Sequence, residues 1–268
     1  MDLWAFGTLI IAALGLGVAG LSALRIPRED TTAFLALATT AGLGMTAVLL
    51  GVLGLFGTLH AARFLIPAGA LVTVIWTATG VRRWRRPIVH RPSPGMALLV
   101  MMVGAACLGS IAPVTDIDSL DYPIPIAQHL ARDGEWRFWP GQALSTYPLS
   151  QELLAAAILD TGGRRLGVLS GIEVVLAAVL LVSLARRLAR EEAARWLAPI
   201  LTLGCPAVAF LASSAKEDML LIAMTIAAVL ALYMRPLCAP LWALQFQPAC
   251  LQVSRPVRSI PECPCLLP

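Results

Sequence analysis

Three aspartates, Asp116, Asp118 and Asp121, lie within six residues of one another, just past an apolar run that ends near Val114. Carboxylates are costly beside hydrocarbon, so a group of them at a membrane boundary points to function. A carboxylate placed there can take the proton of an attacking hydroxyl. Two together can hold a divalent ion, Mg or Mn, against a phosphate. Asp118 is the expected general base. Asp116 is the expected second carboxylate, and the Asp116/Asp118 pair is the candidate metal site. Asp121 stands before Tyr122-Pro123 and suits a helix cap better.

Other polar groups surround this cluster in the sequence. Pro125–Asp133 reads as a short surface helix. Ile126 and Leu130 share one face, Gln128, His129, Arg132 and Asp133 point elsewhere, and Gly134 is a stop. Trp136, Phe138 and Trp139 then fit an interfacial belt. His129 is a phosphate-binding candidate. So are the cations Arg132, Arg137, Arg164, Arg165 and Lys216, because a guanidinium grips phosphate with a planar fork. Tyr147-Pro148 and Gln151-Glu152 open a second short helix, over Ser150–Leu159, with Ser150 as its cap and Gly162-Gly163 as its end. Glu152 suits that helix start by its charge alone. Lys216-Glu217-Asp218 precedes a later apolar run. Glu173 lies inside another, and a carboxylate within a membrane segment is a functional candidate by default.

The elements that must position these groups are membrane helices. Of the 268 residues 58% are hydrophobic and 13% charged, against about 25% charged in soluble domains. Mean hydropathy is +0.79. The apolar runs are continuous rather than alternating, which excludes a β-barrel and predicts an all-α, polytopic helix bundle. Seven segments are expected, over about 3–24, 32–56, 61–81, 95–114, 166–184, 196–212 and 219–234. The net charge of +4 comes from arginine clusters between apolar runs and indicates no nucleic acid. Positive short loops prefer the cytoplasm. Arg82–Arg91, Arg25/Arg28, Arg186–Arg195 and Arg235 then face inward. The N-terminus, the Gly57–His60 turn, the acidic loop and Ser213–Asp218 face outward. A multi-pass protein of the bacterial plasma membrane is expected, with the acidic loop extracytoplasmic.

Three regions follow: an N-terminal membrane region (1–94), a core (95–235) with its loop at 115–150, and a Pro/Cys-rich tail (236–268). Cys107 and Cys205 read as small buried hydrophobes, whereas Cys238, Cys250, Cys263 and Cys265 all fall in the tail. Prolines every few residues deny the tail a useful helix. It is expected to be foreign to the fold, read from a shifted frame, and to leave the protein truncated at its C-terminal end.

The order TDIDSLDYPIPIAQHLARDGEW, STYPLSQELLAAAIL and SSAKEDMLLIAMTIAAVLALY resembles the GT-C superfamily of integral-membrane glycosyltransferases. The pattern is most similar to bacterial relatives of protein O-mannosyltransferases and aminoarabinose transferases. Asp118, Leu120 and Tyr122 fit its opening. Asp133-Gly134, Tyr147-Pro148 and Glu152-Leu153-Leu154 fit its continuation, and Lys216 with Asp218 fits a lysine–acid pair at a later helix start. Pro123 departs from it, standing where a histidine is common, and three membrane segments precede the loop where many relatives have one. The likeness covers about Ala97 to Tyr233. It implies a polyprenyl-phosphate-linked sugar as donor, an acidic loop residue as base and an extracytoplasmic glycan, lipid or protein as acceptor, with membrane lipids around the site. Tyr122, His129, Arg132, Tyr147, Glu152, Lys216 and Asp218 are the expected substrate contacts. A transporter or lipid-handling protein, or a non-catalytic membrane subunit, is the rival reading.

Overall fold

The computed structural model describes residues 2–28, 30–80, 93–139, 149–216 and 218–234. The Arg82–Arg91 cluster, Tyr147, Glu217 and the tail with its four cysteines lie outside the described residues. Among those described, every regular element is helical: α1 (Asp2–Ala23), α2 (Thr31–Leu55), α3 (Ala62–Gly80), α4 (Pro94–Ile111), α5 (Ile117–Asp121), α6 (Pro123–Asp133), α7 (Ser150–Asp160), α8 (Gly167–Leu188), α9 (Glu192–Leu203), α10 (Pro206–Ser213) and α11 (Asp218–Met234). A 3-10 turn at Leu59–Ala61 leads into α3.

Among the described residues five helices are long and apolar enough to cross a bilayer, and α9 with α10 makes a sixth span if the bent pair is counted as one. The protein is therefore a polytopic helical membrane protein, with fewer clear spans than the seven expected. The sixth segment forms, but it bends by 58° between α9 and α10. Pro206 is the first residue of α10 and has no N–H to continue the α9 hydrogen-bond ladder. The seventh segment forms as α11, described over 17 residues.

The centre of the bundle is α2, whose Phe34, Leu37 and Leu43 are almost wholly buried. It packs against α1, α7, α8 and α11. The N-terminal helices thus share one hydrophobic core with α6, α7, α8 and α11. The α1–α2 crossing is close because glycine faces backbone on both sides. A Cβ on Gly17 would run into the Ala38 carbonyl, and one on Gly42 into that of Ala13. Small residues permit this approach where no hydrophobic force drives helices together. We expect Gly42→Val to cost about 1–3 kcal/mol through overpacking, read as a lower unfolding temperature in detergent. Gly104→Val on α4, where a Cβ meets nothing within 4 Å, should leave it unchanged.

One end of the bundle gathers the segments that alternate crossings bring together. The Asp2 carboxylate accepts the Arg164 N–H at 2.5 Å. Leu59 N–H donates to Gly134 O at 3.0 Å and Trp136 N–H to Gly54 O at 2.8 Å. His60 Nδ1 lies 3.2 Å from Asp160 Oδ1. Arg25, Arg28, Arg186, Arg187, Arg190 and Arg195 lie at the opposite helix ends. Cys107 is half-buried, but Cys205, expected to be buried, is exposed at the α9–α10 break.

Candidate functional site

The acidic cluster is built by α5, a single turn. Asp116 supplies its N-cap, accepting the Ser119 N–H at 2.9 Å. The capping role expected of Asp121 thus belongs to Asp116. Asp121 is the exposed last residue of α5, and the N-cap position of α6 is Tyr122, whose side chain makes no capping bond. The physical reason is register: α5 starts after Asp116, so the first aspartate meets the free N–H groups.

Two consecutive residues of α5 are clamped to two consecutive residues before α11. Lys216 Nζ donates to Asp118 Oδ2 at 2.8 Å and lies 3.8 Å from Asp116 Oδ2. Ala215 N–H donates to Ser119 Oγ at 3.1 Å. Ser119 is wholly buried, whereas the Asp118 side chain is 64% exposed and that of Lys216 only 11%. The largely buried lysine thus holds an exposed carboxylate at the bundle end. The hydrogen bond to Asp118 raises the Lys216 pKa above its ordinary value, against burial, which lowers it. Phe210 adds its ring face, 5.2 Å from Nζ. Nothing in the sequence singles out Ser119: a lone serine whose partner is 96 residues away leaves no local signal.

The carboxylate pair does not fit Mg or Mn as arranged. The lysine ammonium stands where a shared cation would lie, and Asp116 is already committed to its cap. Among the described residues no group of three His, Cys, Asp or Glu comes together to hold a metal.

The helix expected over Pro125–Asp133 begins at Pro123, whose missing N–H is harmless at a first helical position. It ends at Gly134 in the left-handed region, φ 72°. It does not lie on lipid: Ile126, Ala127 and Leu130 are fully buried, with α7 as its main neighbour. Nor do the aromatics form a belt. Trp139 is buried, Trp136 packs on Gly51 and Gly54 of α2, and Phe138 alone is exposed. His129 stacks on Trp139 with ring centroids 5.3 Å apart and lies 2.8 Å from Arg132. Asp133 binds Arg132 at 2.7 Å, Arg137 at 3.2 Å and the Trp139 indole N–H at 3.4 Å. His129 and Arg132 are thus engaged in holding the loop.

The Arg132 hydrogen bond, then those from Trp139 and the nearby charges, hold Asp133 at a pKa of about 2, below its ordinary 3.8. A depressed carboxylate contributes stability above its unfolded value, and that contribution is lost as pH falls through the folded value. Wild type should therefore loosen residues 134–139 between about pH 4 and pH 2. Asp133→Asn should show the loosened loop already at neutral pH. Tryptophan fluorescence and limited proteolysis across that range read both.

At the same end a cavity of about 360 Å³ opens between the end of α4, α6 and the start of α8. Val114, Ile124, Gln128, Arg164 and Arg165 are among its lining. Of the cations expected to meet phosphate, Arg132, Arg137 and Lys216 have carboxylate partners. Neither Arg164 nor Arg165 enters an ion pair among the described residues. Glu152 is buried in the first turn of α7 and does not reach this surface. The helix's N-cap position is Leu149 rather than Ser150. Tyr122 is half-buried and close enough to Lys216 to favour its charge. Asp218 is the exposed first residue of α11.

No curated protein and no solved structure matches this chain. A family profile described as the DUF1420 N-terminal domain matches residues 95–235. That is more than half of the 268 residues and takes in α4 to α11 with the whole acidic cluster. On that match, the chain belongs to the DUF1420 family.

Proposed function

We propose that the protein is a membrane glycosyltransferase that moves a sugar from a polyprenyl-phosphate carrier to an extracytoplasmic glycan, lipid or protein. The observation that carries this reading is the exposed Asp118 carboxylate, presented by buried Lys216 at the bundle end that also holds the Arg164/Arg165 cavity. In this reading Asp118 takes the proton of the acceptor hydroxyl as its oxygen attacks the anomeric carbon. The bond from that carbon to the phosphate oxygen breaks on the opposite face, with inversion. The lipid phosphate leaves as an anion, and Arg164 and Arg165, whose guanidinium groups enter no ion pair among the described residues, receive its charge. Lys216 orients Asp118. No step is routed through a metal. The arginines at the opposite helix ends support placing the acidic end outside, in a bacterial plasma membrane.

The test is protein in proteoliposomes given radiolabelled polyprenyl-phosphate sugars and candidate acceptors. Label joined to acceptor supports the proposal. A second reading, a carrier of lipid-linked sugar, is favoured by the 58° break between α9 and α10, because broken helices recur in transporters. It predicts label crossing the bilayer without transfer.

A further inference from the structure

Glu173 is used by neither reading, yet it is the most deeply placed charged residue of the core. It lies on α8, six residues past Gly167, roughly 9 Å along the helix at 1.5 Å per residue. Its exposure is 0%. Both its carboxylate oxygens lack a hydrogen-bond partner among the described residues. Gln151, in the first turn of α7 and 2% exposed, brings its side-chain amide beside that carboxylate, but the geometry is not that of a hydrogen bond. The Gln151 Oε1 is likewise buried without a partner. Three acceptor oxygens are therefore enclosed within the bundle without a hydrogen bond among the described residues.

Among the described residues no cation supplies the missing charge. None of the ion pairs among the described residues includes Glu173. The elements packed on α8 are α2, α4, α9, α10 and α11. Their described titratable groups are Cys107 on α4, Glu192 and Arg195 on α9, and Asp218 and Tyr233 on α11. Glu152 follows Gln151 on α7, and Lys216, beyond α10, is taken by Asp118. The positive end of α7 favours negative charge nearby, but that is small beside the cost of an enclosed, unpaired carboxylate. Such a group needs one positive charge, and its oxygens need a partner.

We propose that Glu173 and Gln151 form a monovalent-cation site inside the membrane bundle, taking a proton or a sodium ion. One carboxylate balances one unit of charge, and the amide oxygen completes the ligand's contacts. The site stands apart from the acidic surface cluster and does not depend on the transfer reaction.

An apolar carbodiimide added to the folded protein, followed by mass mapping, tests it. The expected result is a single adduct on Glu173 that is absent in Glu173→Gln. An adduct that sodium does not suppress identifies the proton, and one that sodium prevents, with potassium and choline as controls, identifies sodium. Thermal unfolding across pH and sodium concentration supplies a second readout, in which wild type should respond and Glu173→Gln and Gln151→Leu should lose that response. An unlabelled Glu173, together with pH and sodium responses identical in wild type and both variants, overturns the proposal.

Discussion

Asp118→Asn is expected to lower sugar transfer by about 10²–10⁴-fold, the usual contribution of a positioned general base. Folding should survive. The carboxylate is 64% exposed, and the asparagine oxygen can still accept the Lys216 hydrogen bond. The variant therefore separates proton transfer from architecture, since the contact remains while the base is gone. Asp116→Ala should behave differently. It removes the α5 cap, at about 1 kcal/mol, and releases the turn that carries Asp118, so its effect on rate is indirect and smaller. Initial rates in proteoliposomes, with unfolding temperatures measured alongside, distinguish the two. Transfer by Asp118→Asn within a few-fold of wild type would remove Asp118 from the role of base. A larger loss for Asp116→Ala at unchanged stability would move that role to Asp116.

The membrane helices are legible in the sequence because their signal is local. Apolar runs of spanning length and arginines between them place α1, α2, α3, α4 and α8 within a few residues. The grouping of Asp2, the Gly57–Ala61 turn, the acidic loop and Lys216 at one end follows from counting crossings. The break in the sixth segment is less legible, although Gly204 and Pro206 lie in plain view. An apolar run reads as continuous when hydropathy alone is followed, and proline is tolerated in membrane helices. Here it begins a new helix instead.

The site is legible in composition and not in partnership. The Asp116/Asp118 pair and Lys216 stand out by residue type and place, but nothing local says that the lysine answers the two carboxylates. That contact spans 98 residues and depends on α9 and α10 returning the polypeptide to α5. The same holds for α6. Its apolar face reads as facing lipid, because a short amphipathic helix looks alike whether it covers a membrane or another helix. Only the position of α7, itself buried along most of its length, decides between them. His129 and Arg132 likewise look available until Asp133 and Trp139 are placed beside them.

Lys216→Met should have the largest structural effect of any change at the acidic cluster. The lysine side chain is 11% exposed, so methionine fits its apolar stem, but both carboxylates lose their cation. A hydrogen bond to a charged group is worth about 1.5–3 kcal/mol, and breaking a buried pair costs more. Asp118 is well exposed and water can replace its partner, which brings the expected cost to about 1–2 kcal/mol. Asp116, with a side chain only 14% exposed, bears most of the remainder. Transfer should fall as Asp118 loses its orientation. A double-mutant cycle with Asp118→Asn should give a coupling of about 1 kcal/mol, since the second change removes a charge the first has left unpaired. The pH dependence has a definite sign. The ammonium's pKa lies above its ordinary 10.5 because Asp118 binds the charged form. Its stabilisation is therefore complete below that value and is lost as pH rises through the higher, folded-state one. Wild type should lose stability at strongly alkaline pH along this branch and Lys216→Met should not. Equal alkaline behaviour in the two proteins would show that the lysine's contacts with Asp116 and Asp118 contribute nothing to holding α5 against the α10–α11 turn.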